Sequence, residues 1–342
     1  MADQGRTEIG QYGEFGLIDH LTKEFQLNNK ESVLGIGDDA AIINYELGQV
    51  ISTDLLIEGV HFDLSYTPLK HLGYKCVAVN ASDIAAMNAY PKQILVSVAV
   101  SNRISVEALE EFYAGIKLAC KNYKIDLIGG DTTSSLSGMN ISITVIGTNY
   151  KDKLVQRSTA KEGDLVYVSG DLGAAYMGLQ LLEREKQVFM SNDQIQPDLG
   201  EKDHVIGKLL RPEARLDVVY ALEEAGIVPT SMMDISDGLA SEVTHISKKS
   251  GVGVEIYDQY LPIEEETYNT ALDFNLDPAV CALNGGEDYE LLMTFDPKDR
   301  KALDKLTELT QVGEIVSEDK GLKLVTKAGN RHDIKAQGWV HF

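Results

Sequence analysis

Two hydrophobic rhythms alternate along this chain: apolar residues three to four apart, and short β-branched runs. The spacing of Phe15, Ile18, Leu21 and Phe25 predicts a first helix over 13–28. Apolar flanks at 33–36 and 40–43 then enclose Gly37, Asp38 and Asp39. Val50-Ile51 leads into a strand end at Ser52-Thr53-Asp54, followed by a loop through Glu58, His61 and Asp63. Pro68 opens a helix carrying Leu72, Val77, Ile84 and Met87, and Pro91 ends it. A buried strand at 93–101 and an amphipathic helix at 106–123 follow. Leu127-Ile128 runs to a strand end at Gly129-Gly130-Asp131, and 140–147 is another strand. The polar segment 148–163 marks a crossing, so the expected domains are 1–147 and 148–342. In the second, 165–169 reads as strand, 174–186 as helix and 187–203 as a surface excursion. Arg211–Arg215 reads as the start of a further helix, with Pro212 in its first turn. Met232–Ser236 turns into a helix at 240–250, Ala282–Leu292 holds a glycine pair, two acids and a strand, and 321–326 is a late strand.

Composition narrows what this pattern does. A length of 342 residues suits two domains with separate cores. The balance of 44% hydrophobic to 25% charged residues is that of an ordinary globular protein. No apolar run approaches the ~18 residues of a membrane span, and the N-terminus lacks a basic-plus-apolar signal, so the cytoplasm is the expected location. Cys76, Cys120 and Cys281 are far apart, form no CxxC and read as reduced core residues. A net charge of −22 argues against nucleic acid and anionic membranes as partners. It also constrains phosphate chemistry, because two unit charges at ~4 Å repel by about 4 kcal/mol at an effective dielectric of ~20. An acidic cleft takes a phosphorylated substrate only with divalent cations between them.

Aspartates recur at expected strand or helix ends: Asp39, Asp54, Asp83, Asp131, Asp234 and Asp237. Each alone fits a turn or a helix cap as well as a metal ligand. Together with the hydroxyls of Ser52 and Thr53 they point to a cleft holding divalent metals and a polyphosphate, since carboxylate and hydroxyl oxygens are hard ligands. The chain has no GxxxxGK[ST], kinase catalytic-loop, HExxH or GxSxG motif, and Ala40 stands where GxGxxG needs its third glycine. Phosphoryl transfer relies on positioning and charge neutralisation, so a kinase without a P-loop is chemically reasonable.

The ordered segments GEF, GIGDDAA, STD…GVHF, YKCVAVNASDIAAM, LIGGDTT, MDISDGL and NGGEDYELL make the resemblance specific. From Gly13 to Phe342 the chain resembles the thiamine-monophosphate kinase family of the aminoimidazole-ribonucleotide synthetase superfamily. The resemblance implies two α/β (α+β) domains. The N-terminal domain would bind ATP and metal and pair in a homodimer, and the C-terminal domain would add nucleotide and substrate contacts around ATP in the interdomain cleft. The implied reaction is ATP plus thiamine monophosphate giving ADP and thiamine diphosphate, with several Mg²⁺ ions. Carried over by motif, Asp39, Ser52, Thr53, Asp54, Asp83, Asp131, Asp234 and Asp237 are metal ligands. Tyr113, Gly130, Asp131, Arg157 and Ser236 contact ATP, while His61, Glu287 and Trp339 contact thiamine monophosphate. Asp39, Asp54, Asp83, Asp131 and Arg157 form the catalytic set. A synthetase of the same superfamily using another phosphate acceptor is the alternative, and an acidic Ca²⁺-binding or scaffold protein a more distant one. A core anchor near the chain end is the alternative for the lone Trp339.

Overall fold

The computed structural model describes residues 7, 12, 17, 20–34, 42–192 and 196–336. The chain divides into two compact units, residues 1–84 with 89–151 and residues 85–88 with 152–342.

In the first unit, β1 (Ser32–Leu34) and β2 (Ile42–Ile43) form a small antiparallel pair. They are followed by β3 (Gly48–Ile57), α1 (Leu69–Ala86), β4 (Tyr90–Val100), α2 (Val106–Tyr123), β5 (Asp126–Ser134) and β6 (Met139–Asn149). Among the described residues the main sheet has the order β3-β6-β4-β5, with β4 and β5 parallel and the other neighbours antiparallel. Helix α2 bridges the parallel pair, as a parallel connection requires. Ser105 caps its start by accepting the Ala108 N–H at 3.3 Å, and Lys124 closes it in a left-handed conformation. Both helices pack closely, for a Cβ on Gly73 would lie 1.9 Å from the Phe112 carbonyl oxygen.

Three expectations change here. Helix is present at residues 17 and 20–22, but Lys23 and Glu24 form a turn, so Phe25 lies beyond the helix and meets Tyr113 edge-on at 6.4 Å. Ser52-Thr53-Asp54 stands in mid-strand, because β6 pairs with β3 residue by residue as far as Ile57. Asp131 is likewise within a strand, since β4 pairs with β5 as far as Ser134.

The second unit contains β7 (Leu165–Ser169), α3 (Ala174–Ser191), α4 (Asp203–Leu210), α5 (Leu216–Ala225), β8 (Ser231–Ile235), α6 (Leu239–Ser250) and β9 (Gly253–Tyr257). Then come α7 (Glu265–Asp273), α8 (Pro278–Asn284), β10 (Glu290–Phe295), α9 (Arg300–Leu303), β11 (Leu309–Val316), β12 (Leu322–Val325) and β13 (Arg331–Asp333). The sheet order is β13-β12-β9-β11-β7-β10-β8. Its main core joins Val166, Val168, Met233, Ile235 and Leu292 of the sheet to Leu239, Val243 and Ile246 of α6. A second core gathers Met177, Leu181, Val205, Ala271 and Cys281 from α3, α4, α7 and α8. Residues 211–215 are not helical, and α5 starts only at Leu216. The Arg215 guanidinium is spent on Asp217 and the buried Glu290. No helix among the described residues is long and apolar enough to cross a membrane.

Candidate active site

Side chains alternate across a strand, so each carboxylate of the first unit belongs to one face of the sheet. Ser52 and Asp54 take the face covered by α1 and α2. There Ser52 Oγ donates to Asp83 Oδ2 at 2.5 Å, and the Asp54 N–H donates to Asn80 Oδ1 at 3.1 Å. Asn80, fully buried on α1, also donates to the Cys76 carbonyl at 2.9 Å. One turn later on the same helix stands Asp83, half-buried and well inside α1 rather than at its start. The structure therefore gathers Ser52, Asp54 and Asp83 at the β3 edge and adds Asn80, which the motif reading passed over. The signal was its place three residues before Asp83 on one helical face.

Thr53 faces the other way, donating to the Ile143 carbonyl at 3.0 Å and accepting from Thr144 at 3.1 Å. Asp131 shares that open face, in register with Ser97 and Ser142. It also stands on the opposite edge strand, three strand spacings or about 14 Å from the β3 edge. Among the described residues no group of three or more His, Cys, Asp or Glu surrounds one metal position. Gly130 is needed for packing, because a Cβ there would lie 1.8 Å from the Val96 carbonyl oxygen of β4. Tyr113 is 8% exposed, with its hydroxyl toward Thr132, and burial pushes that hydroxyl up to about 12. His61 sits in the turn after β3, where Nδ1 accepts the Ile57 N–H at 3.0 Å, so Nε2 carries the proton of the neutral ring. Asp39 and Trp339 lie outside the described residues.

In the second unit the turn from β8 to α6 carries Asp234, Ser236 and Asp237. Glu242, 2% exposed, accepts the Asp237 N–H at 2.9 Å, and burial pushes its carboxyl up to about 7. The Ser236 carbonyl accepts the Glu287 N–H at 2.7 Å, and the Ile235 carbonyl accepts the Tyr289 N–H at 2.8 Å. These bonds stitch the GGEDY loop to the DISDG turn, and with it Glu287 to Ser236. Glu287 and Tyr289 both have left-handed backbones, φ 70° and 51°. Such strain costs about 1–3 kcal/mol per non-glycine residue. Arg157 is exposed, and its carbonyl accepts Ser250 Oγ from the end of α6 at 3.2 Å. His245 on α6 is held low by burial and then by the Arg157 charge, while Asp237 pulls it upward. Arg157 and Asp237 thus act on one neighbourhood.

Asp288, between Glu287 and Tyr289, points inward and accepts the Gly173 N–H at 2.8 Å. Burial pushes its carboxyl up to about 8, against the Gly173 N–H and the Lys208 charge. The folded state then keeps a proton that the unfolded chain releases near pH 4. That contribution is full below about pH 4 and is lost as pH rises through about 8. Asp288→Asn keeps an acceptor for Gly173, so its melting temperature falls less between pH 5 and 8 than that of the wild type. Parallel melting profiles would show that Asp288 is ionised in the fold.

Comparison with known proteins agrees with this architecture. Residues 37–149 match the family model "AIR synthase related protein, N-terminal domain", and residues 161–324 match "AIR synthase related protein, C-terminal domain". The chain is 36% identical over 335 residues to the thiamine-monophosphate kinase of Aquifex aeolicus (strain VF5), covering 98% of this chain and 99% of that one. It is similar to the solved structure "AaThiL complexed with AMPPCP and TMP", at 35% identity and TM-score 0.75, covering 98% and 99% of the two chains. The hydrogenase maturation protein HypE in complex with ATP shares the fold, at TM-score 0.74 and 18% identity over 95% of this chain and 96% of that one. Matched along its whole length, with both domains in order, the chain belongs to the thiamine-monophosphate kinase family.

Proposed function

We propose that this chain transfers the γ-phosphoryl group of ATP to thiamine monophosphate, in the cytoplasm, giving thiamine diphosphate and ADP. The full-length similarity to thiamine-monophosphate kinases carries this reading, together with a relative solved with AMPPCP, an ATP analogue, and TMP. A phosphate oxygen of the substrate attacks the γ-phosphorus as the bond to the β-phosphate oxygen breaks. That oxygen is ionised near pH 7, so the step needs charge neutralisation rather than a general base. No thiol competes as nucleophile: Cys76, Cys120 and Cys281 are all buried, and burial pushes the Cys281 thiol up to about 11. His61 Nε2–H would donate to the substrate phosphate; for the nucleotide, Tyr113 and Gly130 are the candidates in the first unit, and Arg157 and Ser236 those in the second.

The donor chemistry at the β3 edge fits Mg²⁺, with the Asp83 carboxylate beside the Ser52 hydroxyl and Asp54 two residues further along the same strand face. Asp39, Thr53 and Asp131 would complete the holders in the first domain, 1–147, and Asp234 and Asp237 those in the second, 148–342. Ions bound there supply charge neutralisation between carboxylates and phosphates. One sheet does not bring Asp131 onto the same ion as Asp54. We therefore place the enzyme in a homodimer that covers the open sheet face, where Ile51 is 63% and Leu55 55% exposed. In it, Asp131 of one copy serves the β3 edge of the other.

Incubating the chain with ATP, Mg²⁺ and a panel of phosphorylated acceptors tests the activity. Thiamine diphosphate and ADP form together with thiamine monophosphate alone. Equal ADP release with unrelated acceptors would instead favour another synthetase of the superfamily. Trp339, the only tryptophan, gives a second readout. Stacking and cation–π attraction to the thiazolium are worth roughly 0.5–2 kcal/mol. Saturating thiamine monophosphate quenches or shifts its emission. An unchanged spectrum, with an unchanged KM in Trp339→Ala, would return it to the core.

A further inference from the structure

Two glycines precede Glu287, yet the left-handed positions of this loop fall on Glu287 and Tyr289, where glycine would relieve the strain. The side chains at those positions are therefore the ones with a task. Asp288 is 2% exposed and turned inward onto the Gly173 N–H, while its two neighbours are half-buried. The Tyr289 hydroxyl donates to Glu287 Oε1 at 3.2 Å. The backbone beneath is held by the Ile235 and Ser236 carbonyls, so the pair does not depend on loop ordering when a ligand arrives.

We propose that Tyr289 is a positioning residue for substrate specificity, orienting the Glu287 carboxylate toward the aminopyrimidine ring of thiamine monophosphate. This rests on the reading of Glu287 as a substrate contact. The exocyclic amino group of that ring is a hydrogen-bond donor, and a carboxylate accepts from it. A freely rotating carboxylate must be ordered on binding, whereas one held by the tyrosine hydroxyl is already aimed. The effect belongs to thiamine monophosphate and not to ATP.

Tyr289→Phe in the full chain removes a single oxygen and keeps the ring. KM for thiamine monophosphate rises about three- to tenfold, the scale of one net hydrogen bond. KM for ATP and the melting temperature stay at wild-type values, which a merely structural role would not produce. In a Glu287→Ala background the same change adds nothing, because the partner is gone. An unchanged KM in Tyr289→Phe would overturn the proposal, as would an equal rise for ATP or a full effect in the Glu287→Ala background. The wild-type chain is the control for the underlying reading: its failure to phosphorylate thiamine monophosphate overturns both, whereas wild-type turnover with an indifferent Tyr289→Phe overturns only the positioning role.

Discussion

Mixing the Asp54→Asn and Asp131→Asn variants restores about a quarter of wild-type turnover, although each alone has almost none. The expectation follows from sheet geometry. Asp54 takes the helix-covered face at the β3 edge, while Asp131 takes the open face at the β5 edge. If a site draws Asp54 from one copy and Asp131 from another, half of the randomly reassorted dimers are mixed. Each mixed dimer carries one intact site and one doubly altered site. Because both substitutions replace exposed or half-buried carboxylates, the fold survives, and less carboxylate repulsion raises metal-free stability. Subunits are exchanged in mild denaturant and assayed after refolding. No regain of activity, with mixed dimers demonstrated by tagged subunits, would place both residues in a site made by one chain.

Arg157→Ala lowers kcat by up to about 10³-fold, the scale of other arginines that stabilise a transferring phosphoryl group. The guanidinium is exposed, and the segment is held by a backbone carbonyl bonded to Ser250, so the melting temperature is unchanged. Arg157→Lys recovers only part of the loss, because an ammonium keeps the charge but not the planar fork. The pKa of His245 rises in the alanine variant, since the Arg157 charge helps to hold it down. NMR titration of His245 therefore reports the electrostatic change independently of turnover. A kcat within tenfold of wild type would remove Arg157 from the catalytic set. A phosphoenzyme trapped with γ-labelled ATP alone would replace direct transfer by a covalent route.

The sequence by itself determined many of the local elements and the chemical inventory. Helix 106–123 and strand 165–169 have the bounds that their periodicity predicts, and the structure adds a Ser105 cap of the same local kind. Periodicity and capping are set by residues a few positions apart, so they are legible without a fold. The acidic motifs, the absence of a P-loop and the family resemblance were legible for the same reason.

Tertiary structure decided how those residues meet. The strands at Asp54 and Asp131 run on because partners nearly a hundred and about thirty-five positions away continue their ladders. The faces given to Asp54 and Asp131 follow from that register, and so does the need for glycine at 130 beneath the Val96 carbonyl. Asn80 and Asp288 lie inside quoted motifs without a role read for them, and Glu242 lies in none; each matters through backbone N–H groups that folding brings within reach. The left-handed backbones of Glu287 and Tyr289 also arise from tertiary bonds, to Ser236 and Ile235, and oppose local preference. Local propensity names the residues able to do this chemistry, while long-range pairing decides which of them share a site, because strand register and buried hydrogen bonds join parts of the chain that no short window contains.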